Sequence, residues 1–377
     1  MNTNQRYHGL DGLRAFAMLT GILVHASIPY WSDLGRISFF WPADQSQSGI
    51  LWILFTVIHS WRMPLFFILA GFFAQLFMTR HNLWGFLINR LHRIVAPLIL
   101  FGAITAFLLP IIWSYGFTGQ LSISGFLGFP DSPGFLGHLW FLYYLCIFYV
   151  VMSLAHGLML IMPFKIPFIR TIGKGIYSPI PVILIILVMT SLIAIHIFGK
   201  GESKWVWPIN YPDLAYHGLF FLFGVGLYRR SEFITTIKTV WVFSLYLLLA
   251  AWCSIVQITS TIALNNPKSN EEGELLGLVI ATSSSCATVL FSIGLIGLFE
   301  RTLQHHIRII RWLSDSSYWI YIMHLPVVAL TTFYLFRYEL APELKFLISC
   351  SITAAIGLIT YKYLIRYTPV GWLLNGR

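Results

Sequence analysis

The chain has 377 residues, of which 57% are hydrophobic and only 10% are charged, whereas a soluble domain carries about 25% charged residues. Together with a mean hydropathy of +0.75, this composition excludes an ordinary soluble protein and indicates a polytopic membrane protein. The excess of 24 Lys and Arg over 14 Asp and Glu is not gathered in one basic tract, so no nucleic-acid partner is expected; the basic residues recur between apolar segments, as topology signals do.

Apolar segments long enough to span a bilayer, about 20 residues each, recur along the whole sequence. The sequence therefore predicts an all-α polytopic membrane protein with ten transmembrane helices. The connections are short, so we expect a single transmembrane domain over residues 1–377 without a separate soluble domain. The predicted helices lie near residues 11–31, 50–78, 84–113, 135–162, 179–198, 212–229, 239–261, 274–299, 316–336 and 343–364.

Lys and Arg residues outside the segments predict the orientation. One side of the predicted bundle carries 17 of them and the other side 6, and the richer side is cytoplasmic by the positive-inside rule. Both termini are then cytoplasmic. The first segment has the composition of a signal peptide, but it ends in Pro29, Tyr30 and Trp31, which are typical of a membrane interface, so we expect it to be retained as a helix.

The first predicted helix carries three ionisable residues. Asp11 and Arg14 lie at its start and His25 in its body. Eleven steps of 100° put Arg14 and His25 on one face, roughly 16 Å apart along the axis. Ionisable groups in a membrane helix normally face a protein interior or a wet cavity, which makes this face a candidate site. The alternative is an arginine that reaches the headgroups and a histidine bonded to a neighbouring helix.

The second and third predicted helices add four more basic residues. His59 and Arg62 are one turn apart in the second, and Arg62 falls near its middle, where a guanidinium needs partners. Arg90 and Arg93, at i and i+3 in the third, project from one patch at the cytoplasmic surface and suit a phosphate ligand. The alternatives are a structural Arg62 and an arginine pair that anchors the helix to lipid phosphates.

Two later stretches carry further candidates. GHLWFL places His138 and Trp140 at the external mouth of the fourth predicted helix, where either an aromatic belt or a sugar-facing cluster would look the same. In the ninth, Ser314 or Asp315 can cap a helix that starts near Ser316, with His324 roughly 12 Å further in. A core histidine bonded to a neighbour would also explain His324.

In order and position, these motifs resemble those of the acyltransferase-3 family of integral membrane proteins, which transfer acyl groups to extracytoplasmic carbohydrates and related acceptors. The match includes LDGLRA with the Arg14 and His25 spacing, the RMPLFFILAGFF run from Arg62, the Arg90 and Arg93 pair, GHLWFL, and the late SYWIYIMHLP. The stretches HSWRMPLFFILAGFF, GHLWFL and SYWIYIMHLP look closest to the group that includes periplasmic glucan succinyltransferases.

The resemblance implies a mechanism in the inner (cell) membrane. Acetyl- or succinyl-coenzyme A, the expected donor co-substrate, would bind from the cytoplasm with its phosphates near Arg14, Arg90 and Arg93. His25 would act as general base or acyl carrier. Asp11 would orient Arg14, and Arg62 would stabilise charge on the reacting carbonyl.

The carbohydrate acceptor, a glucan for example, would approach from outside. Its expected contacts are His59, His138, Trp140 and His324. No metal is expected to take part. Besides the acceptor, membrane lipids are the expected partners.

Two other functions stay open at this point. A transporter could use the same polar face as its substrate path, although the sequence shows no inverted repeat and few intramembrane carboxylates. An acyltransferase could also use a lipid, peptidoglycan or a small molecule as its acceptor.

Overall fold

The computed structural model describes residues 7–31, 41–122, 136–161, 187–188, 191, 211–305 and 307–375. Within these ranges the regular secondary structure is helical throughout, which confirms the all-α prediction. The helices, numbered in chain order, are α1 His8–Ser27, α2 Gly49–Arg80, α3 Leu83–Arg90, α4 Ala96–Thr118, α5 Trp140–Ile161, α6 Tyr211–Arg229, α7 Glu232–Ile237, α8 Val240–Leu264, α9 Asn270–Thr302, α10 Arg308–Leu335, α11 Pro342–Thr360 and α12 Pro369–Asn375.

Eight helical stretches among the described residues are long and apolar enough to cross a membrane. They confirm a polytopic membrane protein. The sixth predicted segment is also helical, as α6, but is not one of these eight. The fifth, at 179–198, falls outside the described residues except for three positions, so the count of ten and the location of the termini stay predictions. The eight stretches are His8–Tyr30, Gly49–Arg80, Leu83–Thr118, Gly137–Leu158, Val240–Leu264, Asn270–Thr302, Arg308–Leu335 and Pro342–Ile365.

Helix α1 is the central helix of the bundle. It packs against α2, α9, α10 and α11, and most of its residues are buried. Small residues let these neighbours approach closely, as is common between membrane helices. A Cβ on Gly9 would lie 2.6 Å from the Cα of Glu300, and the Glu300 carboxylate accepts a hydrogen bond from the Leu10 N–H at 2.9 Å. A carboxylate thus satisfies the positive end of the α1 dipole.

Helices α2 and α6 cross with their backbones in direct contact. A Cβ on Gly71 would overlap the carbonyl oxygen of Phe221, and a Cβ on Gly224 would overlap the carbonyl oxygen of Ile68. Each helix therefore contributes one glycine to the crossing. Neither position has room for a larger residue unless the helices separate.

Helix α10 begins earlier than predicted, at Arg308 rather than near Ser316. The prediction that Ser314 or Asp315 caps this helix is therefore wrong. Both residues have partners that a capping role does not require, because Asp315 pairs with Arg311 at 3.2 Å and the Ser314 hydroxyl donates to the Asp11 carbonyl of α1 at 3.3 Å.

One turn of π-helix, Leu91–Val95, joins α3 to α4. The Ala96 N–H bonds the Leu91 carbonyl there, so this turn contains one more residue than an α-helical turn. Such turns occur frequently at functional sites. Here the turn contains Arg93, and the C-terminal helix α12 packs against it.

Candidate active site

Three of the candidate residues lie at the same depth in the bundle. His25 follows the start of α1 by 17 residues, His324 follows the start of α10 by 16, and Arg62 precedes the end of α2 by 18. At about 1.5 Å per residue these offsets are roughly 26, 24 and 27 Å. The similar offsets put all three at one level of the bundle, more than half of a hydrocarbon thickness of about 30 Å from the side where α1 and α10 begin. The earlier start of α10 thus puts His324 deeper than the 12 Å expected from the sequence.

Three histidines form one buried cluster at this depth. The ring centroids of His25 and His324 are 5.1 Å apart, and those of His324 and His138 are 4.9 Å apart. The exposed fractions of His25, His138 and His324 are 8%, 5% and 1%. His138 lies in a one-turn 3₁₀ helix just before α5, and all three residues of this turn are buried.

Backbone carbonyls fix the protonated nitrogen of two of these rings. His324 Nδ1 lies 2.6 Å from the Tyr321 carbonyl oxygen, and His138 Nε2 lies 2.9 Å from the Ile322 carbonyl oxygen. A carbonyl oxygen only accepts, so each of these nitrogens donates. In the neutral rings, the lone pairs are then on His324 Nε2 and His138 Nδ1. Neither atom has a hydrogen-bond partner in the described part of the chain, and the same is true of His25 Nδ1.

Arg62 reaches the histidine cluster across Gly21 of α1. A Cβ built on Gly21 would lie 2.5 Å from Arg62 Nη1 and 3.3 Å from His324 Nε2. The glycine thus makes the space that both side chains occupy. Arg62 is 7% exposed, and its Nε atom has no hydrogen-bond partner among the described residues.

Trp41 covers the cluster, and sequence reasoning missed it. Its ring stacks on His25 at 5.9 Å with 6° between the planes, and it packs edge-on against Trp113 at 4.8 Å. The segment after it is held by a buried ion pair of 2.7 Å between Asp44 and Lys345. No sequence signal connects Asp44 with Lys345, because they are about 300 residues apart and come from different segments.

A cavity of about 440 Å³ lies on the side of the bundle where α1 and α10 begin. Ligand sites commonly have volumes of about 300–1,000 Å³. Five arginines and two aspartates line it, together with a deeper apolar and aromatic wall. The arginines are Arg14, Arg80, Arg90, Arg93 and Arg311, the aspartates are Asp11 and Asp315, and the deeper wall includes Met18, Phe66, Leu69, Phe141, Leu142 and Tyr318.

The three predicted phosphate-binding arginines all line this cavity, and each is held by a neighbour. Arg14 pairs with Asp11 at 3.5 Å. The Arg90 guanidinium lies 5.4, 5.0 and 4.9 Å from three aromatic ring centroids, those of Phe77, Phe86 and Tyr149. Arg93 donates to the Leu374 carbonyl of α12 at 3.3 Å. The guanidinium groups are thus pre-positioned, which lowers the entropic cost of binding an anion.

The apolar end of the cavity approaches the histidine cluster. Phe66 is four residues along α2 from Arg62, and Phe141 is three residues from His138. Met18 is seven residues from His25 in α1, and Tyr318 is six residues from His324 in α10. At about 1.5 Å per residue, these spacings separate cavity and cluster by one to two helical turns.

Asp11 lies with the arginines rather than with the histidines. It contacts Arg14, and its carbonyl oxygen accepts a hydrogen bond of 3.3 Å from the Ser314 hydroxyl. Arg14 Nη2 in turn lies 3.4 Å from the same hydroxyl oxygen. Arg14 and His25 therefore both face α10, as the spacing on one helix face predicts.

His59 and Trp140 do not join the histidine cluster. His59 is exposed, and its ring stacks on Phe55 at 4.7 Å. Trp140 packs against His217 at 5.1 Å. His217 is buried, and its Nδ1 lies 3.2 Å from the Asp213 carboxylate.

Two cavity arginines, Arg80 and Arg311, were counted in the sequence only as topology signals. Positive charge at cytoplasmic helix ends does not distinguish an anchor from a ligand-binding residue.

Within the described ranges, no three His, Cys, Asp or Glu side chains are arranged as a metal site.

The fold and the site define an integral membrane protein with a buried histidine cluster and an arginine-lined cavity. Residues 7–362 match the acyltransferase domain profile of the acyltransferase-3 family. The chain belongs to this family, and it is an acyltransferase.

Among curated proteins, the chain is similar to glucans biosynthesis protein C of Escherichia coli. For strain K12 the identity is 33% over 96 residues, and for strain O1:K1 / APEC it is 32% over 96 residues. The match covers 25% of this chain and 23% of the relative in each case. The aligned stretch thus spans about a quarter of each protein, and no solved structure matches.

Proposed function

We propose that this single transmembrane domain, residues 1–377, transfers an acetyl or succinyl group from cytoplasmic acyl-coenzyme A to a hydroxyl group of an extracytoplasmic carbohydrate such as a glucan. The observation that carries the proposal is the arginine-lined cavity, whose apolar end lies one to two turns from the buried histidines. The inner (cell) membrane is the proposed location. The similarity to a glucans biosynthesis protein supports a glucan as the acceptor to test first.

Acyl-coenzyme A fits the chemistry of the cavity at both of its ends. Coenzyme A carries phosphate groups at one end and a thioester on an extended arm at the other. Arg14, Arg90 and Arg93 would hold the phosphates, because guanidinium groups bind phosphate oxygens through two parallel hydrogen bonds. Asp11 would orient Arg14. The apolar wall would accommodate the arm, which places the thioester toward His25.

The histidine cluster would carry out the transfer. His25 would act as general base or acyl carrier, since an imidazole can do either near neutral pH. Arg62 would stabilise the negative charge that develops on the carbonyl oxygen. His138 and His324 would face the acceptor hydroxyl. Substrate contacts by His59 and Trp140 stay predictions of the sequence.

The test is acyl transfer by the purified chain in detergent, with labelled acetyl- and succinyl-coenzyme A and a glucan acceptor. His25→Ala should lower turnover by about 10²–10⁴-fold, the usual contribution of a positioned acid or base, and retain donor binding. Arg93→Ala should weaken donor binding by about 10–100-fold, because a hydrogen bond to a charged group contributes about 1.5–3 kcal/mol.

Arg301→Gln is the matched control, because Arg301 is exposed at the end of α9 and does not line the cavity. It should bind and turn over as the unmodified chain does. Normal turnover by His25→Ala would contradict the role of His25. If a lipid or a small alcohol accelerates thioester consumption and no glucan does, the acceptor is not a glucan. A chain that neither binds nor consumes any thioester would overturn the proposed donor.

A further inference from the structure

His25 and His324 differ in their hydrogen bonding, and the step that uses the acceptor hydroxyl needs a base. Resting on the proposed function, we propose that His324 takes the proton from the acceptor hydroxyl, while His25 carries the acyl group. This divides between two residues the roles that the sequence assigned to His25 as alternatives.

The first observation is the fixed tautomer of His324. Its Nδ1–H donates to the Tyr321 carbonyl at 2.6 Å, so the lone pair of the neutral ring is on Nε2. That atom is buried and makes no hydrogen bond to the described residues. A lone pair held in one direction with no competing donor is the property a general base requires.

The second observation is the location of that lone pair. His324 Nε2 and Arg62 Nη1 both lie against Gly21. A carbonyl oxygen bonded to Arg62 would therefore have its carbon close to the base. His324 is also the central ring of the three, since it contacts both His25 and His138. The ring of His25, by contrast, has no backbone partner at Nδ1 within the described chain, so that nitrogen is available to form a bond.

The proposed reaction has two balanced steps. In the first, a nitrogen of His25 attacks the thioester carbonyl, the C–S bond breaks, and coenzyme A leaves as the thiolate, which takes the proton that the ring loses. In the second, the acceptor oxygen attacks the acyl carbon while its proton passes to His324 Nε2. The C–N bond then breaks, and His324 returns the proton to His25.

His138 is the matched comparison, because it has the same kind of anchor on the opposite nitrogen. Its Nε2–H bonds the Ile322 carbonyl at 2.9 Å. The side-chain amide of Asn occupies the position of Nδ1 in a histidine ring, and that of Gln approximates Nε2. His324→Asn and His138→Gln therefore each keep the backbone hydrogen bond and remove the free lone pair.

The experiment follows both half-reactions in the purified full-length chain. The protein is mixed with labelled acyl-coenzyme A, and label on the protein is measured by intact-mass spectrometry before and after a glucan is added. The unmodified chain should become labelled and then lose the label to the glucan. His324→Asn should become labelled at a normal rate and discharge about 10²–10⁴-fold more slowly. His25→Asn should not become labelled, and His138→Gln, which changes an acceptor contact but not the base, should slow discharge less than His324→Asn does.

Discharge by His324→Asn at the unmodified rate would overturn the proposal, and so would a 10²-fold loss confined to His138→Gln. A His324→Asn protein that binds the donor but takes no label would also overturn it, because His324 would then act in the first step. An unmodified chain that transfers acyl groups without ever carrying label would reject the carrier step and leave the proposed function intact. Failure of the unmodified chain to transfer at all would instead reject the proposed function.

A misfolded variant is recognised by its donor affinity. The cavity that holds the donor does not include His324, so His324→Asn should bind acyl-coenzyme A with unchanged affinity. Added imidazole provides a second readout. It should restore discharge in a His324→Gly variant, because the missing side chain leaves space for the base; restoration in His138→Gly instead would contradict the assignment.

Discussion

At the scale of single residues, the site depends on one position that carries no functional group. Gly21 lies one turn below His25 on α1, and the side chains of Arg62 and His324 meet against it. The residue contributes space, which allows a guanidinium and an imidazole nitrogen to approach one another in the middle of the bundle. Sequence patterns of charged and aromatic residues give no indication of such a position.

Gly21→Ala should lower acyl transfer by about tenfold or more with little loss of stability. The added Cβ would lie 2.5 Å from Arg62 Nη1 and 3.3 Å from His324 Nε2. The end of a flexible side chain can move away at small cost, but a shift of about 1 Å in a reacting group is enough to lose about 10²-fold in rate. Turnover and thermal unfolding of the purified variant are the measurements.

Gly277→Ala is the control for this substitution. Gly277 lies within α9, and a Cβ there would have no neighbour within 4 Å. It should keep full activity and become slightly more stable, because alanine is favoured over glycine in a helix by about 1 kcal/mol. Equal activity of the two variants would show that Arg62 and His324 need not approach each other for transfer.

At the scale of secondary-structure elements, the interior of each helix could be predicted better than its ends. The long apolar segments predicted α1, α2, α8, α9 and α11 to within a few residues, because length and hydropathy are local properties of the sequence. The start of α10 was predicted eight residues late, because Ser314, Asp315, Ser316 and Ser317 look like a capping segment. Three of them bond within α10, Asp315 to Arg311 and the hydroxyls of Ser316 and Ser317 to carbonyls one turn back. Ser314 bonds instead to the Asp11 carbonyl of α1, a partner that becomes visible only in the folded chain.

At the crossing of α2 and α6 we expect a substitution to lower stability, whereas Gly21→Ala is expected to lower activity. Gly224→Ala would place a Cβ against the Ile68 carbonyl, which is rigid backbone. The helices would have to separate, so the variant should lose about 1–3 kcal/mol of stability, the usual cost of overpacking. Its thermal midpoint should fall below that of Gly277→Ala. Equal midpoints would contradict the close backbone approach.

The segment that carries Trp41 gives a second prediction for an element. Lys345 and Asp44 form a buried pair of 2.7 Å, with side chains 3% and 2% exposed. Removing only the cation in Lys345→Met leaves a buried carboxylate, which costs about 3–5 kcal/mol. The double variant Lys345→Met with Asp44→Asn removes both charges and should recover a large part of this loss. Additive losses in a double-mutant cycle would show that the two residues do not interact.

At the scale of the whole molecule, the bundle joins two sites that the sequence predicted only as separate motifs. The spacing of Arg14 and His25 predicted that they share one face of α1, and both do contact α10. The convergence of Arg62, His138 and His324 on His25 could not be predicted, because it depends on how α2, the turn before α5, and α10 pack around α1. Trp41 was missed for the same reason. Packing between distant segments determines the site.

The direction of transfer across the membrane requires a fixed orientation of this bundle. The cavity arginines come from the ends of α2 and α3, the π-helical turn after α3, and the starts of α1 and α10, so one side of the molecule presents them all. The positive-inside rule predicts that this side is cytoplasmic, where acyl-coenzyme A would be available. The orientation therefore decides whether the donor can reach the cavity.

Helix α9 provides a direct test, because Lys268 and Arg301 are exposed near its opposite ends. The 33 residues of this helix extend over about 50 Å at 1.5 Å per residue, more than a bilayer's hydrocarbon thickness of about 30 Å. In a chain whose four native cysteines are replaced by alanine, Lys268→Cys should react with a membrane-impermeant maleimide in right-side-out vesicles. Arg301→Cys should react only after the vesicles are permeabilised.

Acyl transfer by the cysteine-free chain serves as the control that the fold is retained. If Arg301→Cys reacts first and Lys268→Cys is protected, the arginine cavity opens to the outside, and a cytoplasmic donor could not reach it. If both react in sealed vesicles, α9 does not cross the membrane. The expected pattern would place the donor cavity on the same side as the cytoplasmic acyl-coenzyme A pool. The histidine cluster would then lie between that pool and the acceptor.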